Sequence, residues 1–279
     1  MTLPREYIDG LIKTALSEDI SYVDITTDYL ISDTQESTAV FKAKADGVLC
    51  GLDVALRVFE LLDGSIRARR NFSDGDKIKN GDVIAKITGK TAVILKGERT
   101  ALNLLQHMSG VATATAGAVE LAAGTRAGIA DTRKTLPGMR ALQKYAVKCG
   151  GGRNHRFNLS DGVLIKDNHI DAAGGITNAV KTLRGWISHM AKIEVETRNL
   201  DEVAQAVAAG ADVIMLDNMS CTQMKQAVEL INGRALSEAS GNITHENLRE
   251  TALTGVDIIS IGALTHSVRA FDISLVIVT

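Results

Sequence analysis

Apolar residues first recur at three- and four-residue spacing: Ile8, Leu11, Ile12, Ala15 and Leu16 make one stripe, which predicts an opening amphipathic helix. The period then shortens to two. Small or apolar residues from Phe41 to Ala45 alternate with Lys42 and Lys44, and Val83, Ala85 and Ile87 alternate with Lys86 and Thr88, so both stretches are expected to be half-buried strands. Asp74-Gly75 and Asn80-Gly81 supply turn signals beside them. From Lys96 to Ala123 the pattern becomes helical again, with Leu102, Leu105, Met108 and Ala112 on one face, and a domain boundary is expected near residue 105.

Beyond that point short β-branched runs alternate with helical patterns. The runs are GIADT (128–132), GVLIKD (162–167), KIEVET (192–197), DVIMLD (212–217), ALSEAS (235–240) and DIISIG (257–262); LDEVAQAVAAG and TQMKQAVELING lie between them. This order predicts parallel βαβ units closing into a β/α barrel, complete or reduced to six or seven strands. The chain is therefore read as α/β: an N-terminal α/β sandwich domain over 1–104 and a barrel domain over 105–270. Residues 72–89, FSDGDKIKNGDVIAKITG, resemble the half-motif of lipoyl and biotinyl carrier domains but lack the carrier lysine, so the likeness is taken as architecture.

Each barrel strand ends in a polar group: Asp131-Thr132-Arg133-Lys134, Lys166, Glu196, Asp217, Ser240-Gly241 and Gly262. Parallel barrel strands all finish at one rim, so these groups should meet at one mouth. Turns alone favour Gly, Asn and Asp over Lys, Glu and Arg, so turn chemistry does not explain the set.

Composition narrows the picture. Apolar residues make up 45% and charged residues 23%, as in ordinary globular proteins, which excludes disorder and collagen-like repeats. A formal charge of −2 points to neither nucleic acid nor an acidic membrane as partner. Cys50, Cys149 and Cys221 are scattered and never form C-x-x-C, which argues against a disulfide framework or zinc knuckle and for a reducing, cytoplasmic setting. The N-terminal stretch lacks the unbroken apolar centre of a signal peptide.

A local basic patch stands inside that balanced total. Arg133, Lys134, Arg140, Lys144, Lys148, Arg153, Arg156 and Lys166 face only Asp131, Asp161 and Asp167 in the same segment. Guanidinium forks and ammonium groups suit carboxylate and phosphate, so a multiply anionic ligand is expected; Lys144 and Lys148 are read instead as a solvated helix face. The glycines of CGGGRNHR (149–156) would let backbone amides approach an anion. Glu196 and Asp217, at successive strand ends, could address ribose hydroxyls or magnesium and stabilise a glycosyl cation. Ser240, Gly241, Gly262 and Ala263 fall on the last two strands, where barrels commonly cradle phosphate.

Eight segments in register, GERTALNLLQHMSGVAT (97–113), DTRKTLPGMR (131–140), GGGRNHR (150–156), LIKDNHI (164–170), IEVET (193–197), IMLDNM (214–219), SEASGNI (237–243) and SIGALTHS (260–267), together resemble the quinolinate phosphoribosyltransferase family. The resemblance implies a magnesium-dependent reaction of quinolinate with phosphoribosyl pyrophosphate, giving nicotinate mononucleotide, pyrophosphate and carbon dioxide. It implies that Arg99, Arg133, His155, Arg156 and Lys166 hold the two quinolinate carboxylates, that Thr132 also binds substrate, and that Lys134 and Lys166 face pyrophosphate. Lys134, Lys166, Glu196 and Asp217 would carry the chemistry, Glu196 and Asp217 serving ribose and magnesium, the metal held chiefly through the substrate. Ser240, Gly241, Asn242, Gly262, Ala263 and His266 would hold the 5′-phosphate. It further implies a homodimer in which Arg99 reaches the neighbouring site, and a C-terminal strand over 271–279 returned to the N-terminal sheet. Asn242 departs from the family, standing where many members have glycine. His169 is left between a role at the ligand and a purely structural one.

Two other readings compete. Lys166 ends a barrel strand as Schiff-base lysines do, which would make an aldolase. A non-catalytic binder of anionic metabolites, or a molybdate-associated paralogue, would keep the fold without the transfer.

Overall fold

A computed structural model describes residues 3–278, which divide into two compact units: 3–116 with Leu136–Gly151 and 267–278, and Gly117–Thr135 with Gly152–His266. The division falls at Ala116 inside a continuous helix, not at residue 104, and the segment 136–151 returns to the first unit.

In the first unit the apolar stripe of α1 (Arg5–Asp19) puts Ile12 at full burial. A short α2 (Thr27–Leu30) leads to β1 (Glu36–Ala43), where Ala39, Phe41 and Ala43 turn inward in two-residue steps. Then follow β2 (Gly47–Val48), α3 (Leu52–Leu62), β3 (Arg67–Arg70), β4 (Lys77–Ile78), β5 (Val83–Lys90) and α4 (Thr91–Ala122). Phe41 and Phe59 meet edge to face with centroids 6.1 Å apart, and burial of each ring contributes about 2–3 kcal/mol.

The main sheet is antiparallel, with β1 flanked by β5 on one side and the C-terminal strand Ile273–Val278 on the other, and β3 beyond β5. The C-terminal chain thus returns to this sheet. One expectation fails locally: Val83 is exposed and Ile84 buried, because the register with β1 shifts at Phe41/Lys42 and leaves Ile84 without an opposite residue. A bulge of this kind reverses the inward and outward faces along one strand.

The helix α5 (Arg140–Cys149) belongs here too, since Leu142, Ala146 and Val147 join the same core. Lys144, expected on a solvated face, is only 1% exposed, whereas Lys148 is exposed as expected. The helix is covered on most of its circumference by the first unit, which its own periodicity does not reveal.

The second unit holds six parallel strands: β6 (Gly128–Ala130), β7 (Val163–Ile165), β8 (Ile193–Thr197), β9 (Val213–Asp217), β10 (Leu236–Ser240) and β11 (Ile258–Ser260). Their order, β6-β11-β10-β9-β8-β7, leaves β6 and β7 as the two ends. No ladder joins those ends among the described residues; only Arg153 bridges to Ala130, its amide donating to the Ile129 carbonyl at 2.7 Å. The structure is an open six-stranded barrel with a rudimentary seventh position.

Helices α6 (Asp167–Ala173), α7 (Ile176–Trp186), α8 (Leu200–Ala209), α9 (Cys221–Ile231), α10 (His245–Ala252) and the short α11 (Ala263–His266) alternate with the strands. Asn199 caps α8 through its side chain, and Ser220 and Gln223 form a capping box on α9, which locates these helix starts. Ile193, Val195, Ile214, Leu216, Ala239 and Ile259 form the packed core with the helices. No helix among the described residues is long and apolar enough to cross a membrane.

Gly110 shows how tightly the first unit is built: a Cβ there would lie 2.3 Å from the backbone oxygen of Arg269. Gly110→Ala should destabilise the protein by about 1–3 kcal/mol, because backbone cannot yield as a flexible side chain does; denaturant unfolding measures this, and an unchanged midpoint would contradict it.

Candidate active site

Side chains two residues apart on a strand share a face. At the C-terminal ends of β7 to β11 this rule stacks two layers. The outer layer is Lys166, Glu196, Asp217, Ser240 and Gly262; one step deeper lie Leu164, Glu194, Met215, Glu238 and Ser260. Together with Thr132, Arg133, Lys134, His155, Arg156, Asn242, Ala263 and His266 the outer residues line one cavity of about 760 Å³ in the second unit. Of the residues expected at the site, two do not line it: Arg99 is exposed on α4 in the first unit, and Asp131, expected at the mouth with its strand-end neighbours, is buried.

Cations occupy one side. The loop after β6 is folded by its own hydrogen bonds: the Lys134 amide donates to Thr132 Oγ1 at 3.0 Å, and Thr265 Oγ1 donates to the Lys134 carbonyl at 2.7 Å. Asp131 is fully buried and accepts from Asn154 Nδ2 at 2.6 Å and from the His155 amide at 2.9 Å, which fixes the chain that presents His155 and Arg156. Arg156 Nη1 donates to the Gly162 carbonyl at 2.8 Å. Burial and then the neighbouring Arg133 guanidinium lower the Arg156 pKa, with Glu194 opposing, so two like charges are held close together.

Lys166 Nζ pairs with Glu196 Oε2 at 3.2 Å, and the lysine side chain is 50% exposed. Its amide is capped by His169 Nδ1 at 3.0 Å, so His169 closes the start of α6 and does not line the cavity. An ammonium paired with a carboxylate and open to solvent lacks the apolar enclosure that a Schiff-base lysine uses.

The opposite side depends on unusual backbone. Asn218 and Asn242 take φ of 54° and 50°, and Gly241 takes 91°. Asn218 Nδ2 donates to Asp217 Oδ2 at 2.8 Å, and Asn242 Nδ2 donates to Asn218 Oδ1 at 2.9 Å. A Cβ on Gly241 would lie 2.3 Å from that same Asn218 oxygen, and one on Gly262 would lie 2.9 Å from Lys134 Cδ. Asparagine tolerates the left-handed region, so Asn242 can take the backbone conformation that a glycine would allow there.

Three groups were missed in the sequence: Asn218, Glu194 and Glu238. The two glutamates lie among apolar strand residues; their spacing of two from Glu196 and Ser240 is the signal the sequence offers. His155 Nε2 stands 2.9 Å from Glu194 Oε2 and 3.5 Å from Glu238 Oε1. The three donor atoms lie within 4.8 Å of one another. However, His155 Nδ1 accepts the Arg156 amide hydrogen at 2.8 Å, so the ring proton sits on Nε2, and a protonated nitrogen is no metal ligand.

The fold and cavity define a class: an open β/α barrel whose mouth sets guanidinium and ammonium groups against strand-end carboxylates. Within it, the chain belongs to the quinolinate phosphoribosyl transferase family, matching its N-terminal domain over residues 24–109 and its C-terminal domain over residues 111–276. It is 45% identical to a probable nicotinate-nucleotide pyrophosphorylase [carboxylating] of Bacillus subtilis, covering 92% of this chain and 89% of that one. Identity is 44% with the chloroplastic enzyme of that name from Arabidopsis thaliana, over 99% and 84% of the two chains. The solved nicotinate-nucleotide pyrophosphorylase of Francisella tularensis superposes with a TM-score of 0.96 at 42% identity, covering 99% of this chain and 98% of that one.

Burial and then the Glu194 charge push the Glu238 carboxyl up to about 7. The native state therefore binds this proton more tightly than the unfolded chain, and the stability it contributes is present below about pH 4.5 and lost as pH rises through about 7. Glu238→Gln, neutral throughout, should raise stability at pH 8 by up to about 3 kcal/mol and change it little at pH 4.5. Thermal unfolding at the two pH values measures the difference; equal effects at both would contradict it.

Proposed function

We propose that this chain transfers the phosphoribosyl group of phosphoribosyl pyrophosphate to the ring nitrogen of quinolinate and releases carbon dioxide, giving nicotinate mononucleotide and pyrophosphate. The observation that carries this reading is the single cavity in which Arg133, Lys134, Arg156 and Lys166 face Glu196 and Asp217 beside the glycine-walled turns at Gly241 and Gly262.

Arg133, Arg156 and Lys166 hold the two ring carboxylates, with Thr132 and His155 completing that wall. The fixed dicarboxylate aims its ring nitrogen at the ribose C1. Glu196 and Asp217 face the sugar, where positive charge develops as the bond to pyrophosphate breaks. Lys134 and Lys166 take the charge that the departing pyrophosphate carries away. Ser240, Gly241, Asn242, Gly262, Ala263 and His266 receive the 5′-phosphate.

Once the nitrogen is ribosylated, the ring is cationic and withdraws electrons from C2. The C2 carboxylate leaves as carbon dioxide, its bonding electron pair stays at C2 beside the pyridinium nitrogen, and C2 takes a proton. No side chain forms a covalent bond to substrate.

The carboxylates of Glu196 and Asp217 are hard oxygen donors of the kind magnesium takes, and they would hold it chiefly through pyrophosphate and ribose oxygens. Magnesium would supply neutralisation of the pyrophosphate charge. The working enzyme is a cytoplasmic homodimer in which Arg99 of each protomer completes the other's site; the exposure of Arg99 on α4 and its place outside the second unit's cavity support this. The three free cysteines suit a reducing compartment.

The test mixes the protein with magnesium and phosphoribosyl pyrophosphate, adding quinolinate or nicotinate. Quinolinate should yield nucleotide and gas in equal amounts and nicotinate neither; turnover of nicotinate or silence with quinolinate overturns the reading. Arg133→Ala and Lys166→Ala should each lower kcat/KM at least about 100-fold, since each removes a charge-assisted contact to a buried anion. Full turnover at saturating substrate in either variant would remove that residue from the site.

A further inference from the structure

The two deeper glutamates are not explained by the roles above. Glu194 on β8 and Glu238 on β10 point into the barrel, with side chains 8% and 3% exposed. Between their strands lies β9, where Val213 is paired in register with Glu194 and Met215 with Glu238. A barrel floor built for stability alone would hold apolar side chains, because two carboxylates side by side out of water carry a standing penalty. That penalty is only partly relieved: Glu194 Oε1, Glu238 Oε1 and Ser260 Oγ are buried without a hydrogen-bond partner among the described residues.

What the pair does hold is His155. The ring spans two fixed points, its Nε2–H directed at Glu194 and Glu238 and its Nδ1 accepting from the Arg156 amide. Arg156 is held again at its far end by the Gly162 carbonyl, and the backbone just before it by Asp131. The carboxylates also answer the charge above them, since Glu194 attracts the Arg156 guanidinium that Arg133 repels.

We infer that Glu194 and Glu238 are positioning residues: they lock the His155 ring in the Nε2–H tautomer and, through it, hold Arg156 where it receives a carboxylate of the aromatic acceptor. This rests on reading the cavity as the acceptor site, but the state of the ring does not. Glu194, at hydrogen-bond distance, carries the larger share, and Glu238 supports it.

The experiment has two arms. Nitrogen-15 NMR of protein labelled at its 6 histidines, with His155 assigned by its absence in His155→Gln, should show a neutral ring protonated at Nε2 in the wild type and a mixture of tautomers in Glu194→Ala. In steady-state kinetics Glu194→Ala should raise KM for quinolinate about tenfold or more while KM for phosphoribosyl pyrophosphate stays within about twofold, and Glu194→Gln, which keeps an acceptor oxygen, should recover part of the loss. A wild-type ring protonated at Nδ1, or a Glu194→Ala protein with unchanged tautomer and unchanged quinolinate KM, overturns the inference. A general loss of stability would move both KM values or kcat alone and likewise overturns it. If Glu194→Ala does not fold, Glu194→Gln and the wild-type spectrum decide. Failure of the wild type to use quinolinate sinks the proposed function and leaves the NMR arm to judge the positioning role.

Discussion

Parallel strands that end at a common rim and alternate their side chains in steps of two constrain everything else at this site. Because β7 to β11 all point the same way, Lys166, Glu196, Asp217, Ser240 and Gly262 arrive at one rim although about a hundred residues separate the first from the last. The same alternation forces the residues two positions earlier to form the floor beneath them. Any side chain the rim requires therefore dictates the face, and so the burial, of its neighbours along the strand.

Charge is balanced across the cavity before a ligand enters. Arg133 and Arg156 repel each other, Lys166 leans on Glu196, and Glu194 with Glu238 lies below as a buried counterweight. A dianionic aromatic acid can replace these internal partners on the cationic side, while the carboxylates on the sugar side remain free to answer a developing cation. Interactions of this kind gain strength where water is excluded, which is why the floor matters to the rim. The same low-dielectric setting keeps the glutamate pair expensive, an instance of stability yielded at a functional site.

The side of the cavity at Gly241 and Gly262 is shaped by backbone instead of charge. Left-handed turns at Asn218, Gly241 and Asn242 bring the ends of β9 and β10 into hydrogen-bond contact, and Gly241 and Gly262 keep side-chain volume out of the path of Asn218 and Lys134. Asn242 holds the left-handed region because its side chain can bond locally there.

Local periodicity determined much of this protein from the sequence: α1, the inward face of β1, the six barrel strands, and strand-end groups that all line one cavity except the buried Asp131. Those features depend on residues close along the chain, where a two- or 3.6-residue period is legible. Tertiary structure alone decided the rest. The bulge that exposes Val83, the burial of Lys144 and the return of residues 136–151 to the first unit depend on which elements become neighbours. So does the meeting of His155 with Glu194 and Glu238, because strand order, which no local pattern contains, sets the distance between side chains on different strands.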